Sequence, residues 1–153
     1  MAAKKSAGLL LFRHKQNALE VFIVHPGGPF WKNKDAGAWS IPKGELDENE
    51  DPLQAAVREF CEETGSEITG KFIALNPVKL KSGKLILAWA VEGDIDAGKI
   101  SSNHINIEWP PRSGKQISIP EVDIAMWCSL EEAALKLNEK QVAFLDELRT
   151  LVK

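Results

Sequence analysis

The segment from residue 51 to residue 65 constrains the fold more than any other, because it carries the start and stop signals of an α-helix in order. Asp51 is a suitable N-cap with a glutamine three residues later, and Pro52 fits the first helical position. Gly65 is typical of a helix end. The sequence therefore predicts a helix over 52–64. Its buried face is predicted from residues at helical spacing: Leu53, Ala56, Val57, Phe60 and Thr64.

Three glutamates lie on this predicted helix, and their i, i+3, i+4 spacing places Glu59, Glu62 and Glu63 on one face. The arrangement is unfavourable, since like charges at this spacing repel and the end of a helix prefers cations. A divalent cation would reverse both effects. Carboxylates without histidine or cysteine partners suit Mg²⁺, with Mn²⁺ as the alternative. A solvated acidic face with Arg58 as its ion-pair partner is the other interpretation, and the cluster alone leaves both open.

The rest of the chain mixes strands and helices without strict alternation, which favours an α+β fold or a mixed sheet between helices. Strands are predicted at 6–12, 19–24, 39–41, 67–80, 84–92 and near 123–128, and further helices from Ser129 and over 138–149. The polar segments after residue 41 and after residue 92 are predicted as turns or connections.

Length and charge limit the possible functions. The chain has 153 residues, which predicts a single domain over 1–153. A net charge of −3 is unsuited to general binding of DNA or of a membrane surface. No apolar run reaches the roughly 20 residues of a membrane span. Two cysteines, Cys61 and Cys128, form no ligand pair or disulfide framework and favour a cytoplasmic location.

The residues from Gly44 to Gly65 resemble a known signature. Gly44 is followed after five residues by Glu50, and after seven more by the segment REFCEETG at 58–65. This spacing resembles the Nudix hydrolase signature G-x(5)-E-x(7)-R-E-U-x-E-E-x-G-U, in which U is a bulky aliphatic or similar residue. Ser66 departs from the pattern at the last position, where we expect only a local packing adjustment. The surroundings of the signature, AWSIPKGELDENEDP, and the segment IPEVDIAMWCSLEEA resemble the branch that includes bacterial diadenosine polyphosphate hydrolases.

The resemblance implies a Nudix-type α/β/α sandwich with a mixed β-sheet and a Mg²⁺-dependent hydrolase of phosphoanhydride bonds. It implies that Glu59, Glu62 and Glu63 bind the metal together with the backbone carbonyl of Lys43. Gly44, Glu50 and Gly65 would support the loop and the helix, with Arg58 as the ion-pair partner of Glu50. The general base is left open between a glutamate of the helix, such as Glu62 or Glu63, and an outside carboxylate. Glu121 is the outside candidate from the resemblance, and Glu108 is the second choice.

The expected substrate is a small-molecule nucleotide in which a nucleoside diphosphate is linked to another moiety. Dinucleoside polyphosphates such as diadenosine tetraphosphate are favoured by the resemblance. The alternatives are a nucleoside triphosphate diphosphatase and a non-catalytic nucleotide sensor. Trp31 is the candidate for stacking on the base, and Lys43, Arg112 and Lys115 are the candidates for binding phosphate. Residues expected to be structural or at the surface are Trp39, Trp89, Trp127, His25 and His104.

Overall fold

The computed structural model describes residues 4–152, so the predicted domain over 1–153 extends outside the described residues at both ends. The elements, in chain order, are β1 (Lys5–Lys15), β2 (Ala18–Pro26), β3 (Lys43–Glu45), α1 (Pro52–Thr64), β4 (Ile73–Ala74), β5 (Val78–Lys79), β6 (Leu85–Glu92), β7 (His104–Glu108), β8 (Gln116–Pro120), β9 (Val122–Ser129), α2 (Leu130–Lys136) and α3 (Val142–Leu151). No helix among the described residues is both long and apolar enough to cross a membrane.

The main sheet is mixed, with its central strands in the order β4-β6-β1-β2-β9. β1 and β6 are parallel, whereas β1 and β2, and β2 and β9, are antiparallel. The edge of β1 opposite β6 pairs with two different strands. Its residues Ser6–Gly8 pair with β3, and its residues Phe12–Lys15 pair with β2. This division brings β3 beside α1, where the acidic face of the helix lies.

Helices cover both faces of the sheet. Phe60 of α1 packs on one face with Leu9 and Phe22, and all three side chains are fully buried. Phe144 and Leu145 of α3 pack on the other face, together with residues of α2. Burial of apolar surface on both faces drives this layering. The predicted α/β/α sandwich with a mixed sheet is confirmed.

α1 begins and ends at the predicted residues. The Asp51 side chain accepts a hydrogen bond from the backbone N–H of Gln54 at 3.1 Å. Gly65 adopts a left-handed backbone with φ 79°, and its N–H bonds to the Cys61 carbonyl at 2.7 Å. The predicted buried face is only partly correct, because Glu59 and Glu63 are buried as well. The acidic face of α1 therefore turns into the molecule.

Three predictions of local structure are wrong. The segment 39–41 forms only isolated bridges, while β3 forms in the polar stretch that follows, because pairing with β1 outweighs the local turn preference. The segment 67–80 contains only the two short strands β4 and β5. The connection after residue 92 contains the hairpin of β7 and β8, which forms a separate two-stranded sheet.

Candidate active site

Three carboxylates meet beside the buried end of α1. Ligand-type oxygens of Glu59, Glu63 and Glu121 all lie within 4.8 Å of one another. Glu59 and Glu63 come from α1, and Glu121 comes from the residue directly before β9. Glu62 is not part of this group, since its side chain is 40% exposed and accepts a hydrogen bond from Arg58 at 3.1 Å. The structure thus separates Glu62 from the other two helix glutamates.

Arg58 connects the helix to the loop before it. Its guanidinium donates two hydrogen bonds to the carboxylate of Glu50, at 2.8 and 2.9 Å, and one to Glu59 at 2.9 Å. The Arg58 hydrogen bonds lower the pKa of Glu50 to about 2. Paired hydrogen bonds of this kind fix both direction and distance. The ion pair between Arg58 and Glu50, which the sequence predicts, therefore holds the loop and the helix together.

Asn103 links the end of α1 to Glu121. Its backbone N–H donates to the Glu62 carbonyl at 2.8 Å, and its carbonyl accepts from the Glu121 N–H at 2.9 Å. Its side-chain amide also donates to the Glu121 carboxylate at 2.9 Å. Glu121 is therefore oriented by a residue close in space and distant in sequence. Sequence reasoning did not identify Asn103, because nothing near residue 103 signals that it meets the helix.

Burial shifts the pKa values of the charged side chains in this cluster. It raises the pKa of Glu59 to about 7, and the nearby charge of Arg58 only partly opposes that shift. It raises the pKa of Glu63 well above the usual range, and repulsion from Glu121 and Glu59 adds to the effect. Burial also lowers the pKa of Lys43. The carboxylates are thus held where each negative charge is costly without a cation.

The cluster has a free acceptor atom for a cation. Glu63 Oε2 is buried and has no hydrogen-bond partner among the described residues. Gly44 of β3 faces the same carboxylates, and a Cβ atom at this position would overlap the side chain of Glu59. The absence of a side chain at Gly44 is therefore needed for the helix to approach β3. Three oxygen donors without nitrogen or sulfur suit a hard divalent ion.

A cavity of about 410 Å³ opens above the carboxylates and includes Glu63, Glu121 and Lys43 in its wall. The loop between β2 and β3 contributes Phe30 and Trp31, whose rings meet edge to face at 4.9 Å between centroids. The predicted stacking residue Trp31 therefore lines the cavity, and sequence reasoning missed its neighbour Phe30. Trp39 is buried as expected, and it also contributes to the wall.

The hairpin supplies the opposite wall. In its register, Ile105 faces Ile119 and Ile107 faces Ile117, so four isoleucines share one side of the hairpin. Three of them line the cavity: Ile105, Ile107 and Ile119. The alternation of isoleucine with polar residues in HINIE and QISIP is the sequence signal that could have predicted these strands.

Three other candidates from the sequence lie away from the cavity. Glu108 accepts hydrogen bonds from the backbone N–H groups of Arg112 and Gly114, at 3.0 and 3.2 Å, and so holds the tip of the hairpin. Arg112 and Lys115 are exposed at the same tip and are absent from the cavity wall. The structure places neither the second-choice base nor these two phosphate-binding candidates beside the carboxylates.

Comparison with known protein families identifies the family of this chain. The sequence matches the profile of the NUDIX domain over residues 3–148. The chain belongs to the Nudix family. Ser66, which departs from the signature, is half-buried, and Ile68 two residues later is buried in the core beneath α1.

Two curated relatives share part of the chain. An RNA pyrophosphohydrolase of Bartonella henselae is 35% identical over 66 residues, which cover 40% of this chain and 35% of that protein. An asymmetrical bis(5'-nucleosyl)-tetraphosphatase of Rattus norvegicus is 34% identical over 79 residues, covering 46% of this chain and 54% of that protein. The matched regions thus span about a third and about half of the lengths of these two relatives.

Solved Nudix structures resemble the whole fold. A C. elegans Ap4A hydrolase in a binary complex has a TM-score of 0.69 with 22% sequence identity and covers 98% of both chains. The NUDIX domain of Shewanella oneidensis NrtR, complexed with ADP ribose, has a TM-score of 0.70 with 17% identity and covers 100% of this chain and 90% of that one. At these identities the likeness establishes the Nudix fold alone.

Proposed function

We propose that this chain is a Mg²⁺-dependent hydrolase of phosphoanhydride bonds in nucleotides, with dinucleoside polyphosphates such as diadenosine tetraphosphate as its substrates. The observation that carries the proposal is the meeting of Glu59, Glu63 and Glu121, since two of them, Glu63 and Glu121, line a cavity with aromatic walls. A charged cluster beside an apolar cavity fits a ligand with a phosphate part and a planar part.

Mg²⁺ would be held by Glu59 and Glu63, with Glu62 and the Lys43 carbonyl as further predicted ligands. The unpartnered oxygen of Glu63 and the all-carboxylate donor set support this assignment. The bound ion would neutralise phosphate charge and make water a better nucleophile. Mn²⁺ has similar preferences and would serve as a substitute.

Glu121 is assigned the role of general base. Its carboxylate lies at the cluster yet comes from outside α1, and Asn103 holds one of its oxygens at 2.9 Å. A carboxylate held in this way keeps one orientation while it accepts a proton from the attacking water. Arg58 acts through Glu59 and Glu50 and is a positioning residue in this scheme.

A second groove supports a substrate longer than one nucleotide. Gly37, Leu80 and Asn138 line both the main cavity and this neighbouring groove. The groove also carries Lys81 and Lys140 in its wall. The second half of a dinucleoside polyphosphate would extend along it, with lysines near its phosphates.

A triphosphate-ended RNA is the second candidate substrate. It is favoured by the RNA pyrophosphohydrolase relatives, including a Helicobacter pylori protein that is 38% identical over 60 residues. The main cavity together with the second groove fits either class of substrate.

A single-domain enzyme over 1–153 and a cytoplasmic location stay predictions from length and cysteine content.

Product analysis with a substrate panel tests the proposal. Diadenosine tetraphosphate should give ATP and AMP with Mg²⁺ and no product in chelator, and should react faster than ATP, nucleotide sugars or triphosphate-ended RNA. Glu121→Gln should lower turnover by a factor on the order of 10² to 10⁴. Glu108→Gln is the matched control at the hairpin tip and should leave turnover unchanged. Faster reaction of RNA would select the second candidate, and turnover without a divalent ion would reject the metal assignment.

A further inference from the structure

His25 lies at the end of β2, directly before the loop that carries Phe30 and Trp31. Its side chain is 6% exposed, and its ring lies 5.2 Å from the ring of Trp39 between centroids. It is not part of the carboxylate cluster, and the proposed reaction gives it no role. A buried ionisable side chain next to a binding loop needs a physical explanation.

Both ring nitrogens of His25 face atoms that can only accept. Nδ1 lies 2.8 Å from the carboxylate oxygen Oδ1 of Asp123, and Nε2 lies 2.7 Å from the backbone carbonyl oxygen of Lys34. A neutral imidazole has one N–H group and can satisfy one of them. Both contacts are satisfied when the ring carries both protons and donates to each acceptor.

Charged side chains approach His25 from the loop that follows it and from two other elements. Asp123 faces it from β9, and Asp35 lies in the same loop close enough to interact with its charge. Asp35 accepts hydrogen bonds from Lys136 of α2 and from the Trp39 indole, at 2.9 and 2.7 Å, and the Lys136 bond lowers its pKa. Two carboxylates and one lysine therefore surround the ring, and the balance of charge is negative.

Lys34 closes the turn that carries the aromatic pair. The Lys34 N–H bonds to the Trp31 carbonyl at 2.9 Å, and the Lys34 ammonium lies 3.4 Å from the centre of the Phe30 ring. Phe30 and Trp31 are both in the cavity wall. The bond from His25 thus connects the sheet to the turn that presents these two rings.

We infer that His25 is a positioning residue, which fixes the Phe30–Trp31 turn over the cavity by contacting the Lys34 carbonyl and the Asp123 carboxylate together. Without this ring the Lys34 carbonyl loses its link to the sheet and the turn loosens. Ligand affinity at the aromatic pair should then fall.

The first test needs no substrate. The Lys34 amide should exchange slowly with solvent in the wild type. His25→Gln should speed that exchange, whereas His14→Gln, which removes an exposed histidine, should not. Unchanged exchange in His25→Gln would overturn the inference.

The second test rests on the proposed function and uses hydrolysis of diadenosine tetraphosphate. His25→Gln should raise KM by about tenfold with kcat changed less than about twofold, because only ground-state binding is affected. Asp123→Asn weakens the other contact of the ring, so its KM should also rise, by a smaller factor. Equal KM for both variants and the wild type would contradict the inference. Failure of the substrate itself would leave amide exchange as the deciding measurement.

Discussion

Glu62 and Glu63 are neighbours in sequence and occupy different environments. Glu63 is buried with one unpartnered oxygen, and Glu62 is partly exposed and bonded to Arg58. From helical spacing alone the two are equivalent, because both share a face with Glu59. The difference arises from β3 and from Glu121, which approach only one side of that face. Their substitutions should therefore have unequal effects.

We expect Glu63→Gln to weaken Mg²⁺ affinity by on the order of 10- to 100-fold and Glu62→Gln to weaken it less. The metal-free proteins should differ in the opposite sense. Glu63→Gln removes a buried carboxyl that is unfavourable to ionise in the folded state, and should raise the free energy of unfolding. Glu62→Gln removes an exposed ion pair with Arg58 and should lower it by about 0.5 kcal/mol. Titration calorimetry and urea unfolding measure both quantities, and equal effects of the two variants would contradict this assignment.

At the scale of elements, local signals predicted α1 well and the hairpin poorly. Asp51 and Gly65 define the ends of α1 through bonds within a few residues, so the sequence alone contains that information. β3 depends on pairing with β1, and Asn103 acquires its role from contacts with α1 and Glu121. These features depend on residues far away in sequence, which explains why a local analysis missed them.

The hairpin of β7 and β8 should contribute to substrate binding and little to stability. Ile105 lines the cavity and is 39% exposed, so its side chain is partly available to a ligand. Ile105→Ser should raise KM several-fold with kcat nearly unchanged, because apolar contact with the ligand is lost. Ile124→Ser is the matched control, since Ile124 is 54% exposed on β9 and is outside the cavity wall. Steady-state kinetics on both variants provide the comparison, and equal KM values would exclude the hairpin as a wall of the site.

At the scale of the whole molecule, the site depends on both halves of the chain. The Nudix signature supplies α1 and β3, while Asn103 and Glu121 lie about a quarter and about a third of the chain further on. The signature thus allowed the fold and the helix carboxylates to be predicted. The cavity walls come from the loop after β2 and from the hairpin, where no signature residue lies.

The stability of the metal-free protein should fall as pH rises from about 5 to 7. The pKa of Glu59 is raised from 4.5 to about 7, so the folded state binds more protons than the unfolded chain in this window. Stability is therefore lost as the carboxyl ionises. We expect Tm to be roughly 5 °C higher at pH 5.5 than at pH 7.5.

Two controls accompany this measurement by differential scanning calorimetry. Glu59→Gln should show a smaller difference between the two pH values, because the residue no longer ionises. Added Mg²⁺ should raise Tm at pH 7.5 more than at pH 5.5, since the ion binds the native state and competes with protons. A metal-free Tm that increases with pH would contradict the burial argument.

The late position of β9 in the chain has a consequence for biosynthesis. A ribosome makes β1, β2 and α1 first, and these elements can pair and pack before the remainder is made. Glu121 reaches Glu59 and Glu63 only when β9 pairs with β2, from Cys128 beside Val21 to Val122 beside Pro26. The nascent chain therefore completes its three-carboxylate cluster only after residue 129 has left the exit tunnel. The appearance of hydrolytic activity, which needs Glu121 beside the two metal-binding glutamates, would report the final stage of folding during translation.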